Sequence, residues 1–188
     1  MRVYVLIFIM ILSVSCERSA EGDKKTDVKS LNGDTYDPEN KLVELGIKLM
    51  EPSPPVANFV NIVRVGNLLF LSGKGPLQGN GENITGKLGG DLSIEQGYEA
   101  ARVTAVNQLS VLKSELGNLN KVKRIVKVFG MVNATPDFTD HPKVINGYSD
   151  LMVKVFGERG KHARAAVGMG SLPGNIAVEI EMIVEIEK

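Results

Sequence analysis

The C-terminal stretch from Ala177 to Glu187 alternates strictly. Val178, Ile180, Met182, Val184 and Ile186 fall on one side, and Glu179, Glu181, Ile183 and Glu185 on the other. A period of two predicts a strand with one buried face. Two other stretches repeat at three and four residues. Tyr98, Ala101, Ala105, Leu109, Leu112 and Leu116 predict a helix that opens at a Ser93–Gln96 capping box and stops at Gly117. Val144, Ile145, Tyr148, Leu151, Met152 and Val155 predict a second helix, beginning after Pro142 and ending near Gly157. Phe59 to Val65 and Leu68 to Ser72 flank Val65-Gly66-Asn67 as a β-hairpin. Val122 to Phe129 is rich in β-branched residues and reads as a strand, as does Ala163 to Met169, which precedes a Leu172-Pro173-Gly174-Asn175 turn. Residues 73–90 are rich in Gly and Asn, carry no period, and are expected to form a long loop with room for one short strand. The order β-β-(β)-α-β-α-β-β predicts an α+β domain, one mostly antiparallel sheet with two helices on one face.

Ile183 among the glutamates of the last strand implies that the second sheet face is partly covered as well. With both helices already placed on the apolar face, a partner subunit is the expected cover.

The beginning of the chain follows a different pattern. Met1-Arg2 precedes an unbroken apolar run, Val3 to Leu12, and then Ser13-Val14-Ser15-Cys16. Ten residues of helix rise about 15 Å, roughly half the hydrocarbon thickness, so the run reads as a signal segment rather than a membrane span. A cysteine just after small residues resembles a bacterial lipobox, with Ser13 where Leu is usual, and predicts a lipid anchor on Cys16; a plain secretory signal is the alternative. Residues 17–40 have few large apolar side chains and read as a solvated tether. The expected organisation is therefore a signal at 1–16, a tether at 17–40 and a domain at 41–188.

Composition narrows the chemistry. Lys+Arg and Asp+Glu each number 22, the net charge is zero and the pI about 6.8. No broad phosphate-binding surface is expected from that balance, and aromatics at 5% with no Trp supply little stacking for nucleic acid. A single Cys excludes an intrachain disulfide, and two His exclude a histidine-rich metal cluster. Neither a redox-cofactor motif nor a metal-ligand pattern is present, so no cofactor is expected.

Arg164, in His162-Ala-Arg-Ala-Ala-Val, precedes a turn that leads to the strand bearing Glu179. If those two strands pair as a hairpin, Arg164 and Glu179 lie nearly opposite one another. The pair is then either a structural ion pair or a carboxylate clamp with a water-orienting group beside it. Arg presents a planar charged fork that matches a carboxylate, and Glu can accept a proton from water. Ser72-Gly73-Lys74-Gly75-Pro76 is a glycine-rich strand end without phosphate-loop spacing.

Several of these segments together resemble one family. Phe59 with Val65-Gly-Asn-Leu-Leu-Phe-Leu-Ser-Gly73, Gly97-Tyr-Glu-Ala-Ala-Arg, Val122-Lys-Arg-Ile-Val-Lys-Val-Phe, and Ala163-Arg-Ala-Ala-Val-Gly with Leu172-Pro173 and Val178-Glu-Ile-Glu181 are similar to the RidA, or YjgF-like, family, over about Leu49 to Glu187. The resemblance implies a chorismate-mutase-like fold, a homotrimer with clefts between subunits, and cofactor-free hydrolysis of enamines and imines to 2-keto acids and ammonia. It implies that Arg164 binds the substrate carboxylate and that Glu179 positions or activates water. Ser72, Asn146, Phe59 and Lys74 fall at further substrate-binding positions. Four positions depart from the family: Phe59 replaces a Tyr, Lys74 a Gln, Ala166 a Cys and His162 a Pro. Two functions are therefore expected to compete: a deaminase acting on a small carboxylate-bearing imine or enamine, and a trimeric small-anion-binding protein without catalysis. No nucleic-acid partner is expected, and membrane attachment only through the N-terminal lipid.

Overall fold

The computed structural model describes residues 36–188. The expected signal segment with Cys16, and the expected tether up to residue 35, lie outside the described residues. The folded unit begins earlier than the expected Lys41. Helix α1 (Pro38–Glu44) is capped by Asp37, whose side chain accepts from Asn40 N at 3.1 Å, and Leu42 enters the core. Tyr36 Oη donates to Val122 O at 2.7 Å, with the Arg159 guanidinium 4.0 Å from the centre of its ring. The expected tether boundary at residue 40 therefore moves back, because Tyr36 and the buried Pro38 carry enough apolar surface to dock.

The hairpin forms as expected from β1 (Ile62–Val65) and β2 (Leu68–Lys74), with Gly66 at φ +61° supplying the left-handed turn residue. Helix α2 (Ile94–Leu116) starts at the Ser93–Gln96 capping box and ends at a left-handed Gly117. Strand β3 (Val122–Asn133) continues four residues beyond the expected Phe129. Helix α3 (His141–Phe156), β4 (Ala163–Met169) and β5 (Val178–Ile186) follow. No further strand forms in residues 73–90, which make only isolated bridges such as Leu77 to Asn83 and Thr85 to Ile176. No helix among the described residues is long and apolar enough to cross a membrane.

The sheet order is β1-β2-β5-β3-β4. All neighbours are antiparallel except β3 and β4, whose parallel pairing uses α3 as the crossover. This overturns the hairpin expected between β4 and β5. Strand β3 lies between them, so Arg164 pairs with Val128 and Glu179 with Met131. The Leu172–Asn175 segment carries the chain past β3 to the interior of the sheet rather than back along β4.

Helices α2 and α3 cover one sheet face. Val178, Ile180, Met182, Val184 and Ile186 point into the core with Leu69, Leu71, Leu109, Leu112 and Ile145. Each such aliphatic side chain contributes about 1.5–3 kcal/mol on burial. The helices approach closely at Gly147, where a Cβ would run into the Tyr98 carbonyl. Tyr148, fully buried, directs its hydroxyl to Met182 Sδ at 3.0 Å. The opposite sheet face is open. On it Val63 is 52% exposed, Val65 59% and Phe70 41%, beside Ile183 and the three glutamates of β5.

Candidate functional site

Arg164 sits on the edge strand β4 and points to the helix side of the sheet. Its Nη1 donates to Asn146 Oδ1 at 2.9 Å and to Ser149 Oγ at 3.0 Å, both on α3. Asn146 and Ser149 are three apart, one turn of helix, which is why one nitrogen reaches both. Ser149 Oγ is also 3.0 Å from His162 Nε2, and His162 Nδ1 is 2.7 Å from Gly160 O. Burial, and secondarily the charge of Arg164, lower the His162 pKa against the raising effect of the Gly160 bond. Of the expected site residues, Arg164 and Asn146 are therefore brought together. Ser149 and the part played by His162 were not identified from sequence, since neither shows a pattern until α3 and β4 are side by side.

Glu179 lies on the open face, in the middle of the sheet. Its carboxylate packs over Gly73, where any Cβ would collide with Oε1. The glycine of the Ser72-Gly73 pair is thus the space this carboxylate occupies. Glu179 makes no hydrogen bond or ion pair with a described residue. Burial chiefly, and the neighbouring Glu181 in addition, raise its pKa above the ordinary carboxylate value. Glu185 on the same strand differs: Lys123 Nζ reaches it at 2.8 Å and Asn67 Nδ2 at 2.9 Å. Strand β2 bulges between Leu71 and Lys74 opposite this region. Buried Gln108 fastens the bulge, donating from Nε2 to Ser72 O at 3.1 Å and Ile180 O at 2.8 Å.

Arg164 and Glu179 do not meet within one chain. Two strand spacings and three residues of rise separate them, about 14 Å, and they project from opposite faces of the sheet. Ser72 spends its hydroxyl on Val60 O at 2.7 Å. Lys74 donates from Nζ to Asn61 Oδ1 at 2.7 Å, and burial lowers its pKa. Phe59 and Lys74 share a third location, a cavity of about 290 Å³ lined also by Met50, Pro52 and Asn107. The expected site residues thus do not form one cluster: Arg164 meets Asn146, Glu179 rests on Gly73, Phe59 shares a cavity with Lys74, and Ser72 bonds to Val60. Among the described residues no group of three or more His, Cys, Asp or Glu is arranged to hold a metal ion.

A family model described as "YjgF/chorismate_mutase-like, putative endoribonuclease" matches residues 39–186. Protein TCP17 of Trypanosoma cruzi is 44% identical over 146 residues, covering 77% of this chain and 91% of its own. A 2-iminobutanoate/2-iminopropanoate deaminase of Dermatophagoides farinae is 31% identical over 134 residues, covering 71% and 89%. The solved structure of an Agrobacterium tumefaciens protein of unknown function is similar with a TM-score of 0.75 and 44% identity, over 80% of this chain and 92% of that one. A "putative endoribonuclease" from Shewanella oneidensis gives 0.77 and 32%, over 80% and 99%.

Proposed function

The chain belongs to the YjgF/chorismate mutase-like family, and on that footing we propose that it hydrolyses small carboxylate-bearing imines or enamines, without a cofactor, at a cleft completed between subunits of a homotrimer. The observation that carries the reading is the Arg164 guanidinium, held on one nitrogen by Asn146 and Ser149 with its remaining N–H groups directed to no described residue. A planar fork in that state suits a carboxylate. The relative that acts on 2-iminobutanoate and 2-iminopropanoate supports the same substrate class.

In the proposed reaction water attacks the electrophilic imine carbon, forming a C–O bond, while its proton passes to Glu179 and on to the nitrogen. The tetrahedral carbinolamine then passes its hydroxyl proton through Glu179 to the nitrogen, forms C=O as its C–N bond breaks, and releases ammonia and a 2-oxo acid. Glu179 suits the task because its raised pKa makes it a better base than an exposed carboxylate. The opposite-face placement of Arg164 and Glu179 supports a cleft that takes one of them from each of two subunits. The exposed Val63, Val65 and Phe70 support an interface on the open sheet face. An RNA substrate suits the surface less well, since that face presents Glu179, Glu181 and Glu185 in a chain of zero net charge. The proposal keeps the domain exported and tethered through a lipidated Cys16, an arrangement that rests on the apolar run Val3 to Leu12 and the cysteine after it.

The test is ammonia release from imino acids generated in situ by an amino-acid oxidase, with the mass of the assembly measured by light scattering. A rate above the spontaneous background from a particle of three times the protomer mass is expected. Binding of 2-oxo acids without turnover would replace the enzyme by an anion-binding protein. A monomer would overturn the shared cleft.

A further inference from the structure

We infer that Ser149 and His162 are positioning residues that lock the Arg164 guanidinium in one orientation and leave its Nε and Nη2 edge as the carboxylate fork. The inference rests on the reading above that Arg164 grips a substrate carboxylate.

The direction of the hydrogen-bond chain follows from its two ends. Gly160 O can only accept, so the bond at 2.7 Å requires the proton of His162 on Nδ1. In the neutral ring Nε2 then carries a lone pair, and the Ser149 hydroxyl, 3.0 Å away, must donate to it. With its own proton committed, Ser149 Oγ faces Arg164 with a lone pair, and a guanidinium can only donate. Every link therefore donates toward Gly160: Arg164 to Ser149, Ser149 to His162, His162 to the carbonyl. Neither end can reverse.

The chain also fixes what Arg164 has left. Nη1 has two protons, one taken by Asn146 Oδ1 and one by Ser149 Oγ. Nη2 and Nε bond to no described residue, and their N–H groups lie parallel along one edge of the plane. A carboxylate binding there meets both oxygens at once, whereas end-on binding through the two terminal nitrogens would have to displace Asn146 or Ser149. His162 contributes only while neutral. A doubly protonated ring would donate from Nε2 and oblige Ser149 to take two donors from flanking cations. Burial of the ring and the adjacent guanidinium both favour the neutral form.

The test separates this inference from the reading beneath it. Nitrogen NMR of the full-length protein at neutral pH should show His162 neutral with its proton on Nδ1; a proton on Nε2 would overturn the chain whatever the protein catalyses. Binding is then read with 2-oxobutanoate as probe, alongside imine turnover. Ser149→Ala should weaken binding of the probe and raise KM about tenfold while kcat stays within about twofold. Ser149→Thr, which restores a hydroxyl, should return both to the parent values. Equal losses in the Ala and Thr variants, or none in Ala, would overturn the positioning role. The expected tautomer together with probe binding indifferent to Arg164→Lys would instead remove the carboxylate reading of Arg164, and the positioning role with it.

Discussion

The guanidinium of Arg164 is gripped by two α3 side chains and backed by a third group, whereas the carboxylate of Glu179 has no hydrogen bond to any described residue and rests on a glycine. Arg164 sits at an exposed sheet edge with its geometry fixed; Glu179 sits half-buried in the open face with its charge disfavoured. The contrast matches the division of labour in the proposed reaction. A group that binds an anion gains from having its orientation settled before the ligand arrives. A group that takes a proton gains from an environment that makes its ionised form costly, and hydrogen-bond donors around it would remove that advantage.

Substitutions can break each side of the contrast separately. The largest effect is expected from Glu179→Gln, which keeps shape and removes basicity. kcat for imine hydrolysis should fall by about 10²-fold or more while 2-oxobutanoate still binds. Unchanged turnover would remove Glu179 from the chemistry. Arg164→Lys should come next, raising KM by about 10–100-fold because a point charge replaces a fork, with the larger loss in binding rather than in kcat. Titrating turnover against substrate concentration distinguishes the two variants.

Gly73→Ala should act on Glu179 without touching Arg164. The new methyl forces the carboxylate off its seat, so kcat should fall by about tenfold with probe affinity retained. Loss of affinity in this variant would mean that the two halves are coupled through the sheet. The smallest effect is on stability. His162 is held neutral in the fold, with its pKa below the ordinary 6.5, so below that pH the unfolded chain binds a proton that the folded chain refuses. Stability therefore falls as pH drops from about 6.5 through the folded pKa. Thermal melts of the parent protein should lose Tm over that range more than those of His162→Gln, with the two curves parallel above pH 7. Comparing variants cancels the opposite contribution of Glu179, whose raised pKa favours the fold as pH falls.

The elements were largely legible because each has its own period. The alternation of Val178 to Ile186 places its five apolar residues in the core, and the heptad-like spacing of Val144 to Val155 marks the buried side of α3. Periodicity reports which face a residue takes but not which strand lies beside it. That is why β4 and β5, joined by a Pro-Gly turn, read as a hairpin although β3 separates them. The same blind spot concealed the Arg164 surroundings. Asn146 is indicated by the family resemblance, while Ser149 and Gly160 are an ordinary hydroxyl and a carbonyl until the parallel β3–β4 pairing sets α3 beside Arg164 and His162. Tyr36 and Pro38 read as tether in the sequence because docking surface contributed by two or three residues is too short to leave a period.

The crossover from β3 through α3 to β4 has a consequence for how the molecule assembles. Asn146, Ser149, Gly160, His162 and Arg164 all belong to one contiguous β-α-β passage, complete once residue 169 has been made. Gly73 and Glu179 meet only when the last strand threads between β2 and β3, closing a loop of roughly 100 residues, so that half pays a late and non-local entropy cost. In the proposed reaction, changes within the passage act on anion binding, while the proton-handling half depends on two distant points of the chain, Gly73 and Glu179, that fit one another.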